Sequence, residues 1–107
     1  DCPILSRSSI ETMYARPPGQ AGYDDDGAEK SRYYSLGWNN RSVGDGKFNR
    51  WHTGSLSGTS TILIRRHDGK NFVALMNTRV SPSASHLGRE IDSLLHKMAN
   101  EVSEWPE

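Results

Sequence analysis

The stretch that most constrains the fold is residues 59–80. Two β-rich runs, Thr61 to Arg66 and Asn71 to Thr78, flank His67-Asp68-Gly69-Lys70. Asp-Gly between two apolar runs predicts a hairpin, because both residues tolerate positive φ. Within the runs, Ile62-Leu63-Ile64 and Phe72-Val73-Ala74-Leu75-Met76 are continuous and not alternating. Strands of that kind are usually covered on both faces. Downstream, Leu87, Ile91, Leu94, Leu95, Met98 and Val102 fall on one stripe at helical spacing. The stripe predicts a helix over about 85–102 that covers one face of the sheet. The other face needs cover too, and the expectation is a partner layer that this chain does not supply.

Upstream the signals are shorter. Ser8 and Glu11 have capping-box spacing, and Ile10, Met13 and Tyr14 follow as an apolar face. Pro17-Pro18-Gly19 ends this short helix. Residues 19–32 read as a polar loop with the acidic run Asp24-Asp25-Asp26. Tyr33 to Trp38 alternates as a strand, residues 39–46 are turn-rich, and Phe48 to Thr53 is a second strand. Gly54 and Gly58 bracket a short polar break. Together these elements predict an α+β fold. An antiparallel sheet of three to five strands carries a long C-terminal helix on one face and is preceded by a short N-terminal helix. Residues 1–107 read as a single partial domain.

Composition narrows the partners. Thirteen basic and thirteen acidic residues balance to zero net charge, which argues against a nucleic-acid or membrane-surface binder. No apolar run approaches a membrane span. The lone Cys2 excludes an internal disulfide framework and leaves the compartment open. At 34 % hydrophobic residues, the chain either carries long polar loops or has its core completed by something else. It begins Asp1-Cys2-Pro3 without a methionine, so the expectation is a longer protein from which it derives.

The most informative chemistry lies in Trp51-His52-Thr53-Gly54-Ser55-Leu56-Ser57-Gly58-Thr59. A strand that ends in a small residue lets a ligand approach its backbone. His52 offers a titratable ring, Thr53 a hydroxyl, and the following amides can point at an anion or an oxyanion. The plainer reading is a polar strand followed by a turn. His52-Thr53-Gly54 resembles the Lys/His-Thr/Ser-Gly strand motif of the penicillin-recognising serine hydrolases, which include class C β-lactamases, D-alanyl-D-alanine carboxypeptidases and related esterases. Tyr34-Ser35-Leu36-Gly37-Trp38 is similar to the strand that precedes that motif in the family. Gly54 to Thr59 is similar to its glycine-rich continuation, and Asp68-Gly69 with Phe72 to Arg79 to its next hairpin. Leu5-Ser6 to Met13 resembles a helix-starting segment found upstream, and the long C-terminal helix is in place. The likeness runs from about residue 4 to 102.

The resemblance implies roles residue by residue. His52 stands near the nucleophile and the substrate carboxylate, Thr53 offers its hydroxyl to that carboxylate, and Gly54 keeps the strand open to substrate. The backbone amide of Ser55 is one of two oxyanion-hole donors. The substrate of a complete enzyme is a small-molecule, ester or peptide carboxylate, and no cofactor or metal is expected. Histidine loses its charge near neutrality where lysine keeps it, so carboxylate affinity is expected to weaken with rising pH. The departures are equally informative. No serine is followed by lysine three residues later, and neither Tyr-x-Asn nor Ser-x-Asn occurs. A nucleophile without an adjacent base has little power, so Ser55 and Ser57 are not assigned that role and the chain alone is expected to be inactive. The expected partner is the N-terminal part of the same hydrolase domain, or a second copy through self-association. The alternatives are a non-catalytic binding or interaction domain that keeps the family's sheet, and a small carboxylate-binding module using His52 and Thr53.

Other features read as structural. Asp24-Asp25-Asp26 with Glu29 lacks the alternating spacing of a calcium loop. His67, His86 and His96 show no metal-ligand spacing and are expected on the surface. Tyr33, Tyr34, Trp38 and Trp51 suit a core or cleft lining better than base stacking. Trp105 packs back onto the sheet or frays.

Overall fold

The computed structural model describes residues 4–83 and 86–105. Eight elements follow one another. They are α1 (Arg7–Tyr14), a 3₁₀ turn (Gly19–Ala21), β1 (Arg32–Tyr34), β2 (Asn39–Ser42), β3 (Phe48–Leu56), β4 (Thr59–Arg65), β5 (Asn71–Met76) and α2 (Leu87–Glu101). The strands form an antiparallel sheet in the order β1-β2-β3-β4-β5, so the α+β expectation holds. The chain divides into two compact units, residues 1–52 and 53–107, and β3 passes from one into the other.

In the first unit, α1 begins two residues earlier than the Ser8 spacing suggests. Ser6 is the N-cap, and its hydroxyl accepts from the Ser9 amide at 3.1 Å. Ser8 instead lies inside the helix, where its carbonyl accepts from the Thr12 hydroxyl. The helix stops at Tyr14, ahead of the two prolines, and buries no residue fully. Its last residue does the packing. Tyr14 meets Trp38 edge to face at 6.0 Å, lies under the Arg50 guanidinium, and accepts the Tyr33 hydroxyl on its carbonyl.

The first strand is shorter than its sequence pattern, because Ser35 to Trp38 turns the chain. The Ser35 amide donates to the Trp38 carbonyl at 2.8 Å. The residues that follow, read as turn-rich, contain a strand. Asn39–Ser42 pairs with β1 on one side and β3 on the other. Asn40 is fully buried there, and its amide donates to the Ser35 hydroxyl and the Trp38 carbonyl.

The second unit holds the predicted hairpin. In the β4–β5 register, Ile62 faces Ala74, Leu63 faces Val73 and Ile64 faces Phe72. Gly69 takes φ 85° at the turn, where only glycine sits without strain. α2 lies over the face carrying Ser60, Ile62, Ile64 and Arg66, and Gly88 and Ala99 are its buried residues. The opposite face is exposed among the described residues. Leu63 is 38 % exposed, Val73 64 % and Leu75 77 %. Two-sided burial, expected from the continuous apolar runs, is therefore met on one side only. Among the described residues the buried apolar core is thin, consisting of Tyr33, Ile62, Ile64 and Ala99. Trp105 does pack back, 5.9 Å from Phe72, with the Lys70 ammonium 4.7 Å above its ring.

Candidate functional site

β3 carries all four residues singled out from the sequence, and it continues as strand through Gly54, Ser55 and Leu56, where a break was expected. The chain reverses only at Ser57 and Gly58, whose φ of 74° closes the turn into β4. The short connection makes β3 and β4 neighbours, as expected from short links between adjacent antiparallel strands.

Successive residues of a strand point to opposite faces, so His52 and Thr53 do not share one. His52 closes the first unit. It is exposed, and its Nε2 shares a hydrogen bond of 3.1 Å with the Tyr34 hydroxyl, the rings tilted at 6.0 Å. Tyr34 was read only as a lining aromatic. The signal that could have found its link to His52 was the hairpin geometry of the residues between them.

Thr53, Gly54 and Ser55 open the second unit. Thr53 is exposed, yet its methyl lies only 3.8 Å from where a Cβ on Gly88 would sit. The N-terminal turn of α2 therefore approaches this threonine without burying it. Gly54 has a structural reason of its own. A Cβ there would come 2.6 Å from the Thr61 hydroxyl, closer than side chains pack. The glycine is thus required by the neighbouring strand, whatever ligand the strand meets. Ser55 is exposed beyond it, one residue before the end of β3.

What this stretch offers chemically is modest: an imidazole held by a phenol, a free-standing hydroxyl, and exposed strand backbone near a turn. The sequence holds no Ser-x-x-Lys motif. Among the described residues no group of three or more histidine, cysteine or acidic side chains could hold a metal ion. No helix among them is long and apolar enough to cross a membrane.

The most developed polar cluster lies elsewhere in the second unit. Arg66, 8 % exposed, grips the Asp68 carboxylate through Nε and Nη2 at 3.0–3.2 Å. It also donates to Asn100 Oδ1 at 2.8 Å and to His96 Nδ1 at 2.9 Å. A guanidinium only donates, so Nδ1 is the acceptor and the Nε2 edge of His96 faces Asp92 at 3.5 Å. His96 was expected on the surface. It is instead half-buried, where it accepts from Arg66, which directly follows β4. The hydrogen bonds from Arg66, ahead of its charge and that of Lys70, lower the Asp68 pKa from 3.8 to about 2. The cluster ties helix to hairpin. The acidic run forms a turn instead. The Asp24 carbonyl accepts from Gly27, the Asp26 carboxylate accepts from Ala28, and Asp25 accepts from Gln20.

Comparison with models of known protein families, with curated proteins and with solved structures finds no match to this chain.

Proposed function

We propose that this chain is the C-terminal piece of a penicillin-recognising serine hydrolase domain. It supplies the His52-Thr53-Gly54 strand and the Ser55 amide as one wall of an active site whose nucleophile lies in another segment. The resemblance of the ordered motifs from Tyr34 to Arg79 is the basis for naming the class. One observation carries the reading. In the second unit both the strand bearing Thr53 to Ser55 and the sheet face bearing Leu63, Val73 and Leu75 are open. A wall awaiting the rest of its domain has that character, and a self-sufficient module does not expose a contiguous apolar face of this kind.

In this role Thr53 donates its hydroxyl to a substrate carboxylate, and the Ser55 amide stabilises the oxyanion that forms when the carbonyl is attacked. The test is a direct comparison. The chain alone should not react with an activity-based serine probe, a chromogenic β-lactam or a simple ester. A protein that joins it to an upstream segment containing Ser-x-x-Lys should react with at least one of them. In that protein Thr53→Val should lower kcat/KM by at least about tenfold, the scale of one lost hydrogen bond to charge. Labelling of a serine in the isolated chain, or an unchanged kcat/KM in Thr53→Val, overturns the reading.

The second reading, a non-catalytic interaction domain, is favoured by the same open face. It requires no role for Thr53, so the Thr53→Val result separates the two.

A further inference from the structure

Imidazole changes its charge near neutral pH, and His96 is placed where that change meets a fixed cation. Its side chain is 18 % exposed and lies between two groups of opposite charge. Nδ1 accepts from Arg66 Nη1 at 2.9 Å, and Nε2 stands 3.5 Å from Asp92 Oδ1. Arg66 Nη1 also reaches the His96 carbonyl at 3.5 Å. The remaining groups of the cluster face Arg66. They are Asp68 from the hairpin turn and Asn100 from α2, with Lys70 3.7 Å from the Asp68 carboxylate.

The two neighbours of the ring act differently on its proton. Asp92 is one turn back on the same helix. It accompanies His96 whether or not α2 lies on the hairpin, so its attraction for a protonated ring is much the same in both states. Arg66 follows β4 and meets the ring only when α2 is docked. Protonation at Nδ1 turns the acceptor into a donor, and a guanidinium has no acceptor to offer. Two cations would then face each other across 2.9 Å. Arg66 cannot swing aside without giving up Asp68, which it holds through Nε and Nη2, and Asn100. Asp68, whose pKa is about 2, stays ionised where imidazole titrates and keeps the guanidinium in place.

We propose that His96 is a pH-sensitive latch between α2 and the β4–β5 hairpin, closed while its ring is neutral and released when Nδ1 takes up a proton. The released state binds a proton that the docked state does not, so acid favours release and rising pH restores the contact. The latch makes no use of the His52-Thr53-Gly54 assignment.

Two measurements on the chain test it. ¹⁵N NMR of the His96 ring at about pH 8 should find the proton on Nε2 and none on Nδ1. Hydrogen exchange of the α2 amides, corrected for the pH dependence of the exchange chemistry itself, should show protection falling at least about tenfold between about pH 8 and pH 5. That is the scale of one hydrogen bond to a charged group. His96→Asn keeps an acceptor oxygen and does not titrate, so its α2 protection should stay level over the same range. The variant separates His96 from His86 at the start of α2 and from His67 beside Arg66. Three results overturn the proposal: a proton on Nδ1 at pH 8, wild-type α2 protection that does not change with pH, or an equal loss of protection in His96→Asn. The ring measurement needs no variant, and none of the results bears on serine reactivity, so the two proposals fail separately.

Discussion

Arg66→Met removes the hub that fastens α2 to the hairpin while keeping much of the apolar stem. The guanidinium is 8 % exposed and serves Asp68, His96 and Asn100. A hydrogen bond to a charged group contributes about 1.5–3 kcal/mol, and stranding the partner of a buried ion costs more. Asp68 and Asn100 can both reach water once released, which keeps the expected loss within the range of a charged hydrogen bond. The expected destabilisation of the second unit is about 2–3 kcal/mol.

The variant also changes the acid response. In the folded chain the Asp68 pKa is lowered from 3.8 to about 2, first by the hydrogen bonds from Arg66. Because the folded value is depressed, the stabilisation is present above pH 3.8 and is lost as pH falls toward 2. The shift converts to an upper bound of roughly 2.5 kcal/mol at about 1.4 kcal/mol per unit. Asp68 lies near the surface, and screening reduces this to about 1 kcal/mol. Hydrogen exchange of the α2 amides measures the first effect, and a carboxyl NMR titration of Asp68 measures the second. In Arg66→Met the α2 amides should exchange roughly 30-fold to 150-fold faster at neutral pH, and Asp68 should titrate most of the way back to its ordinary value. Unchanged α2 protection, or an Asp68 titration that stays at its wild-type position, refutes the assignment of Arg66 as the hub.

Two further outcomes follow from named contacts. Gly54→Ala brings a Cβ against the Thr61 hydroxyl and should destabilise the second unit by about 1–3 kcal/mol; adding Thr61→Ala should recover most of that loss in denaturant unfolding, and a failure to recover would show that Gly54 is required for another reason. Ser6→Ala removes the α1 cap and should cost about 1 kcal/mol, read as faster exchange at the Ser9 amide, whereas Ser8→Ala should leave that amide unchanged.

Several parts of this protein were determined locally. Asp68-Gly69 makes a turn wherever it stands between two β-forming runs, because Gly69 alone supplies the positive φ. The stripe from Leu87 to Val102 specifies a helix by period, and α2 occupies nearly all of it. Pro17 ends α1 by its chemistry alone. Tertiary structure decided the rest. β2 is Asn-Asn-Arg-Ser, with no apolar alternation to announce it, and it is a strand because β1 and β3 flank it and Asn40 finds acceptors in the interior. β3 runs on through Gly54, where Thr61 occupies the space a side chain would need. His96 is drawn from the surface by an arginine 30 residues away. Burial of one sheet face and exposure of the other also could not be read from the apolar runs, which report that a side chain prefers cover and not which layer provides it. Local signals act over a few residues through φ, capping and period. The positions of Asn40, Gly54, Thr53 and His96 depend on what a distant segment brings against them, and that is settled only when the strands and α2 have packed.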